Sequence, residues 1–329
     1  MKIVFITDGN NEIGLGHIYQ SKTLANYICE NKAIGKDGGE IVFLTRSSKE
    51  VNSILEADGF EVIACNDDDA IFEYLIDHHP DVVIVDKLDF SADLAKRIKT
   101  KLPSTFAIFT CVTGANQYAD VTVMGAMDSH FQNIKERTNE GRTLSFHGPR
   151  YLIIRPEFFR HFNNKSAFSG KVLLLLGGAD PSNITCSIIK TLIESGNRYI
   201  VKVIIGRAFS NKDELEYIVA YNHSNTYVEV IENSSMVSDY MKWADVAIVS
   251  PGISFFEALK TKTPVIVFNQ NQFQHDAWAE DMTTYDKKDV CLLPELLRDH
   301  QFVYPNDPRV VRMDIGNGVE ELIQTIVSN

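Results

Sequence analysis

Short apolar runs alternate with amphipathic segments along most of the chain, and this pattern predicts its elements. In the first half, the candidate strands are the Val-, Ile- and Phe-rich runs at 3–6, 40–45, 82–86, 106–110 and 121–125. Segments with helical spacing, such as 17–30 and 91–102, lie between these runs. Near-continuous apolar runs are typical of strands that are buried on both faces of a parallel sheet. The strand–helix–strand order therefore predicts a doubly wound α/β domain.

The second half repeats this pattern after a stretch of weak periodicity. Its candidate strands are the apolar runs at 171–178, 199–206, 226–231, 245–250 and 264–269. We place a domain boundary near residue 155, which predicts an N-terminal domain at 1–155 and a C-terminal domain at 156–329. Two similar α/β domains imply a cleft between them, and ligands of such sheets bind outside the carboxyl ends of the strands.

Composition narrows the class of protein. The 329 residues carry a net charge of −12, and this acidic balance argues against nucleic-acid binding, which usually requires a basic face. No run approaches the ~18–20 apolar residues of a membrane span, and the N-terminus lacks the pattern of a signal peptide. The five cysteines are scattered singly, which is typical of reduced, buried thiols. We therefore expect a soluble cytoplasmic protein without membrane insertion.

The loop DGNNEIGLGH (8–17) joins the first predicted strand to the first predicted helix. It places His17 at the start of the helix, where the positive end of the helix dipole disfavours the imidazolium form. Gly14 and Gly16 lack side chains, so a ligand could approach the backbone closely. This arrangement favours a neutral general base beside an anionic ligand. The alternative is a histidine that only caps or packs against the turn.

Two loops of the second half end at helix starts. Gly177 and Gly178 follow a strand and leave room for a diphosphate or a sugar, although a plain turn, capped by Asp180 or Ser182, explains them equally well. Further on, Gly252 precedes Ser254 and Glu257, whose spacing is that of a capping box.

The second of these loops also has a functional interpretation. A glycine-led helix start binds diphosphate through backbone N–H groups, and a glutamate one turn later can accept from both ribose hydroxyls. Asn269, Asn271 and Gln272 follow the next strand, where amides could orient a water molecule or hold sugar hydroxyls, or simply form a solvated loop. His275 and Asp276 diverge on the following helix and make no nucleophilic triad with Ser254.

Taken together, these motifs resemble one family. The D-G-x-x-x-x-G-x-G-H opening, the G-G-A-D-P-x-N turn, the S-x-G-x-S-x-x-E-A-L helix start, the later N-Q pair and the segment GPRYLIIRPEF (148–158) are similar to those of PseG. PseG is the UDP-2,4-diacetamido-2,4,6-trideoxy-L-altrose hydrolase of pseudaminic acid biosynthesis. The resemblance runs in order from residue 1 to about residue 280. It implies a GT-B type α/β fold, similar to that of MurG glycosyltransferases, with two Rossmann-like domains that face a cleft.

The resemblance also implies roles for individual residues. His17 corresponds to the histidine that activates water, and Asn271 to the asparagine near the sugar. The remaining positions bind the nucleotide and its diphosphate: Gly14, Gly16, Gly177, Gly178, Gly252, Ser254, Glu257 and Gln272. Glu257 is expected on the ribose. The implied substrate is a nucleotide sugar, with no metal and no other cofactor, because helix N-termini and backbone amides neutralise the diphosphate.

The sequence departs from the family at two strand ends of the first half. Asp86-Lys87-Leu88 replaces an Asp-His-Tyr-like motif, and Thr110-Cys111 replaces paired aspartates. Both positions lie on the side that binds the sugar or an acceptor. Three hypotheses therefore stay open: a PseG-like hydrolase, a glycosyltransferase that uses a UDP- or CMP-linked donor with a hydroxyl acceptor, and a non-catalytic nucleotide-sugar binder.

Overall fold

The computed structural model describes residues 1–10, 15–30, 39–125, 131–159, 168–206 and 208–328. These residues fall into two compact units. The first unit comprises Met1–Ile153 and Met313–Asn329, and the second comprises Ile154–Arg312.

Helices and strands alternate through both units. Up to Ile153, the elements are β1 (Lys2–Thr7), α1 (Gly16–Glu30), β2 (Glu40–Thr45), α2 (Lys49–Glu56), β3 (Glu61–Ala64), α3 (Asp68–His78), β4 (Val82–Asp86), α4 (Ala92–Lys101), β5 (Thr105–Phe109), β6 (Val121–Met124), β7 (Ile134–Thr138) and β8 (Thr143–His147). After it come β9 (Lys171–Leu175), α5 (Ile184–Glu194), β10 (Ile200–Ile205), α6 (Lys212–Ala220), β11 (Tyr227–Glu232), α7 (Val237–Trp243), β12 (Val246–Val249), α8 (Ile253–Lys260), β13 (Val265–Val267), α9 (Gln272–Trp278), α10 (Leu293–Arg298), α11 (Pro308–Met313) and α12 (Val319–Ser328).

The first unit is built on an eight-stranded sheet in the order β3-β2-β1-β4-β5-β6-β8-β7. Its strands pair in parallel except for the antiparallel pair of β7 and β8. The central strands are buried throughout because their runs are apolar on both faces. By contrast, β7 reads IKERT and is mostly exposed, so its sequence carried no strand pattern. Strands β3, β7 and β8 were absent from the predicted set.

The second unit contains a five-stranded parallel sheet in the order β11-β10-β9-β12-β13. Its strands match the five apolar runs of the second half, and helices separate them along the chain. Each unit is thus a Rossmann-like α/β domain, which confirms the predicted fold class.

The last helix belongs to the first unit, whereas the sequence analysis had assigned all of 156–329 to the second domain. Val319, Leu322, Ile323 and Ile326 of α12 are buried in the same apolar cluster as β1 and β5. An amphipathic helix shows in its sequence which face is buried but not which sheet covers that face. The division between the units on the other side lies at Ile153 and Ile154, next to the predicted residue 155.

All five cysteines are free thiols, but only three of them are buried. Cys29 and Cys291 are exposed, so the expectation of uniformly buried thiols was wrong for these two positions.

Candidate functional site

The carboxyl ends of three neighbouring strands meet the start of α1 in the first unit. Strand β4 lies between β1 and β5, and Asp86 at its end is paired in register with Thr7 and with Phe109. His17 is the second residue of α1. The topology thus brings polar residues from distant parts of the chain to one edge of the sheet, which we call the first carboxyl edge.

His17 and Asp86 form a close pair at this edge. His17 Nδ1 lies 2.7 Å from Asp86 Oδ1, and the side chains are 13% and 3% exposed. The other carboxylate oxygen, Oδ2, accepts hydrogen bonds from Gln20 Nε2 at 3.0 Å and from Ser21 Oγ at 3.2 Å. Asp86 is therefore fixed on several sides and in turn fixes the orientation of the imidazole ring.

This contact decides which nitrogen of His17 can accept a proton. A carboxylate only accepts hydrogen bonds, so Nδ1 carries the proton and Nε2 carries the lone pair. No residue in the described part of the chain bonds to Nε2. A histidine held in this tautomer by a carboxylate is the arrangement of a general base.

The direction of the pKa shift of His17 differs from the expectation drawn from the helix dipole. Burial lowers the pKa of His17, but the hydrogen bond and the charge of Asp86, helped by Asp89 and opposed by Lys87, raise it more. The net result is a pKa above the usual 6.5. A carboxylate at 2.7 Å outweighs the partial charge of a helix end, so the predicted neutral bias was wrong in direction.

A second buried pair stands beside the first. Lys87 Nζ lies 2.6 Å from Asp8 Oδ2, and the lysine side chain is 9% exposed. The backbone N–H of Arg46 also donates to Asp8, at 2.7 Å. Burial raises the pKa of Asp8, but these donors lower it more, so it lies below the usual value. A lysine thus occupies the position that holds a histidine in the resembling hydrolases.

Thr110 completes the first carboxyl edge from the end of β5. Its φ is +59°, an unfavourable conformation for a β-branched residue. Its hydroxyl donates to Asp86 at 3.3 Å and accepts from Gln20 at 3.2 Å. The sequence analysis noted Asp86 and Thr110 only as departures from a family pattern and missed them, together with Gln20, as partners of the base. The sequence did contain one signal for Asp86, because a carboxylate that ends a buried apolar strand is expected to have a polar partner.

The glycines predicted beside His17 are only partly described. Gly14 lies outside the described residues. Gly16 is the first residue of α1, and a Cβ placed on it would meet no atom within 4 Å. Among the described residues, none therefore fills the space beside Gly16 at the helix start.

In the second unit, Gly177 and Gly178 follow β9 as predicted from the sequence. Gly177 has a φ of +85°, which favours glycine, and the position of its absent Cβ lies 3.6 Å from Gln270 Nε2. Asp180 accepts from the N–H groups of Ile184 and Thr185 at 3.0 and 2.7 Å, so it is Asp180 that caps the next helix.

Helix α8 starts differently from the capping-box prediction. Its N-cap is Gly252, and no side chain caps the helix. Ser254 lies inside the first turn, and Glu257 does not return to the N-cap, so the capping-box reading was wrong. The first-turn N–H groups of α8 are therefore left without a side-chain acceptor from the cap position.

Glu257 instead forms a buried ion pair. Arg155 Nε and Nη2 each lie 3.0 Å from Glu257 Oε1, and the glutamate is 3% exposed. Burial raises the pKa of Glu257, and Arg155 opposes that rise. The carboxylate predicted for ribose is thus already held by an arginine.

Asn271 and Gln272 lie at the start of α9, and both are exposed. Asn271 caps this helix, because its Oδ1 accepts from the N–H of Gln274 at 2.9 Å. Gln272 Nε2 donates to Asp276 at 2.7 Å. The sequence assigned chemistry to both residues, and the structure gives each of them a local structural contact as well.

The predicted nucleotide residues of the second unit share one region. They follow β9, β12 and β13, which are adjacent in the sheet, so their loops meet at one carboxyl edge. His17 belongs to the first unit and Asn271 to the second. Among the described residues, no group of three His, Cys, Asp or Glu side chains could hold a metal ion. The described helices include none that is long and apolar enough to span a membrane.

Two curated proteins are similar to this chain in sequence. No protein-family model matches the chain. It is 32% identical to an uncharacterized protein of Methanocaldococcus jannaschii over the full chain, and it spans 66% of that protein's length. It is 26% identical to the spore coat polysaccharide biosynthesis protein SpsG of Bacillus subtilis, over 92% of this chain and 87% of SpsG.

The similarity to a solved structure extends over the whole chain. MurG of Acinetobacter baumannii superposes with a TM-score of 0.71 at 10% identity, and the match covers 100% of both chains. At that identity the likeness concerns the fold alone. The chain therefore has the α/β architecture of the GT-B type, with two Rossmann-like domains, as the sequence predicted.

Proposed function

We propose that this protein is a metal-independent enzyme that cleaves the anomeric C–O bond of a UDP-linked amino or deoxy sugar with inversion and releases UDP. The single observation that carries the proposal is the 2.7 Å contact between His17 Nδ1 and Asp86 Oδ1. It leaves Nε2 as a proton acceptor at the carboxyl edge of a Rossmann-like sheet, which is where such folds bind their ligands.

The reaction needs one base and one stabilised leaving group. His17 Nε2 takes a proton from water, and the water oxygen forms a bond to the anomeric carbon. The C–O bond to the diphosphate breaks, and its electron pair leaves with UDP. Asp86 stabilises the imidazolium that forms, in the role that a buried carboxylate plays beside a catalytic histidine.

The second unit would bind the nucleotide. The uncapped start of α8, led by Gly252 and Ser254, offers backbone N–H groups to the diphosphate. Gly177 and Gly178 leave the neighbouring loop without side chains. Glu257 would accept from the ribose hydroxyls, and Asn271 and Gln272 would lie near the sugar. A helix N-terminus stabilises the developing charge on the leaving diphosphate without a metal ion.

The name of the SpsG relative supports a role in the biosynthesis of a surface polysaccharide. The motif resemblance supports, more narrowly, a PseG-like hydrolase of pseudaminic acid biosynthesis. A metal-independent hydrolysis of this type would take place in the cytoplasm, where nucleotide sugars are made.

A glycosyltransferase is the second candidate, and Lys87 is the observation that favours it. This buried cation, paired with Asp8, changes the charge beside the base relative to the resembling hydrolases. In that case a hydroxyl acceptor replaces water, and a CMP-linked donor is as compatible as a UDP-linked one. A protein that binds UDP tightly but turns over with no acceptor would instead be a non-catalytic binder.

The test is release of UDP from a UDP-2,4-diacetamido-trideoxyhexose without any acceptor. The proposal predicts turnover by the wild type and its loss in His17→Asn. His78→Asn is the matched control, because His78 lies at the far end of α3, bonded to the carbonyl of Tyr74, and should leave turnover unchanged. Release that requires an added hydroxyl acceptor would favour the transferase.

A further inference from the structure

Arg155 contacts two glutamates of the second unit, Glu257 and Glu157. Nε and Nη2 both lie 3.0 Å from Glu257 Oε1, and Nη1 lies 3.4 Å from Glu157 Oε1. The guanidinium also stacks over the buried ring of Phe158, 4.6 Å from its centroid. All three guanidinium nitrogens are thus committed, and the side chain is held in one orientation.

The contacts of Glu257 are unevenly divided between its two oxygens. Both arginine contacts go to Oε1, and in the described part of the chain no donor bonds to Oε2. The glutamate is 3% exposed. Oε2 is not among the fully buried side-chain oxygens of the described residues that lack a partner, so the small exposed part of Glu257 includes this atom. Oε2 is therefore the atom that a ligand hydroxyl can reach.

Arg155 favours the charged form of Glu257, whose pKa burial raises above the usual value. Burial alone favours the neutral acid, and Glu157 adds repulsion. Strands β12 and β13, which pack against α8, carry no charged residue, and Asp239 and Lys242 of α7 pair with each other at 3.0 Å. Lys260, on α8 itself, is directed over the ring of Phe159. Among the described residues, Arg155 is thus the cation that contacts Glu257.

We propose that Arg155 is the positioning residue of the nucleotide site, which holds the Glu257 carboxyl group through Oε1 and leaves Oε2 to accept from the ribose hydroxyls of a nucleoside diphosphate. This inference rests on the proposed function. It adds to that function a residue from the segment before the second sheet, 102 positions away in the chain, to which no role was assigned.

The experiment compares the affinity for UDP with that for 2′,3′-dideoxy-UDP by calorimetry between pH 6 and 8.5. We expect Arg155→Met to weaken UDP binding by about tenfold or more at pH 7, since a charge-assisted pair is lost, and to leave the dideoxy ligand nearly unchanged. Because Arg155 opposes the rise in the pKa of Glu257, the UDP affinity of Arg155→Met should fall at a higher pH on acidification than that of the wild type.

Two further variants make the result decisive. Arg298→Met is the matched control, because Arg298 is exposed on α10 and pairs with Asp299 at 2.8 Å, and it should bind both ligands as the wild type does. Arg155→Gln keeps hydrogen-bond donors without the charge, and it serves if Arg155→Met does not fold; it should show the same pH-dependent loss.

An equal loss of UDP and dideoxy-UDP affinity in a folded variant, or no loss of either, would overturn the role of Arg155 while leaving the proposed function standing. Failure of the wild type to bind UDP at all would instead contradict the proposed function.

Discussion

At the scale of single residues, the pairing of His17 with Asp86 sets the chemistry of the first unit. The histidine stood out in the sequence because it follows a glycine-bearing loop, but its partner is 69 positions away. Strand periodicity placed Asp86 at a strand end, and only the pairing of β1 with β4 shows that this end meets α1. Arg155 and Glu257 are likewise distant in the chain, 102 positions apart, and no local sequence pattern predicts their contact.

Removal of the base should abolish turnover without loss of nucleotide binding. We expect His17→Asn to lower kcat by roughly 10²–10⁴-fold, the usual contribution of a general base, because no other group replaces Nε2. The dissociation constant for UDP should change little, since the proposed nucleotide residues lie on the second unit. A His17→Asn protein with the full rate would contradict the assignment.

The pH dependence of kcat/KM should show the effect of Asp86 on the pKa of His17. Because the pKa of His17 is raised above 6.5, kcat/KM should fall on acidification with a midpoint above that value. Asp86→Asn removes the main cause of the rise, so the midpoint should move to lower pH while the plateau rate drops.

The pair also links protonation to stability. Its stabilising contribution is fully present below the unfolded pKa of His17 and is lost as pH rises through the higher folded pKa. The control is Asp69→Asn, since Asp69 is exposed and pairs with Arg97. It should change neither the pH midpoint of kcat/KM nor the pH dependence of the free energy of unfolding. A midpoint that stays in place in Asp86→Asn would show that another group governs the profile.

The strained backbone of Thr110 gives a separate test. Thr110→Ala and Thr110→Gly both remove the hydroxyl that bonds to Asp86, but only alanine keeps the cost of a φ of +59°. We expect Thr110→Gly to have a free energy of unfolding about 1 kcal/mol higher than Thr110→Ala, measured by urea titration. Equal stabilities would mean that the backbone relaxes in the variants.

At the scale of elements, the apolar runs predicted the buried strands because a strand covered on both faces needs apolar side chains throughout. The same rule explains the failures. Strand β7 pairs only with β8 and lies exposed at the sheet edge, so its polar sequence has no strand signature. The assignment of α12 to a unit depends on long-range packing, which the sequence pattern of the helix does not contain.

The packing of α12 makes a prediction at this scale. Leu322 is fully buried in the cluster with β1 and β5, so Leu322→Ala should destabilise the first unit by about 2–5 kcal/mol. Hydrogen exchange followed by mass spectrometry should show faster exchange in peptides of β1 and β5 and unchanged exchange in β9 and β10.

The matched control lies on the same helix. Glu320 is exposed, and Glu320→Ala should leave exchange in both units close to that of the wild type. Faster exchange in β9 and β10 of Leu322→Ala would instead place α12 with the second domain, as the sequence analysis had it.

At the scale of the whole chain, two Rossmann-like units carry different parts of the proposed chemistry. The fold class, most of the buried strands and the loops that carry the candidate residues were predictable, because parallel sheets put their functional loops at one edge. The raised pKa of His17, the cap of α8 and the partners of Asp86 and Glu257 were not predictable, because each depends on side chains that the fold brings together from distant parts of the chain.

The most direct test of the central claim is hydrolysis in H₂¹⁸O, with the anomeric proton followed by NMR and the released UDP analysed by mass spectrometry. The substrate is a UDP-2,4-diacetamido-trideoxyhexose, with no acceptor present. We predict a free sugar that first appears with inverted configuration, UDP without ¹⁸O, and no reaction in His17→Asn. Labelled UDP would show cleavage at phosphorus, and a retained configuration would exclude direct attack by water; either result would contradict the mechanism.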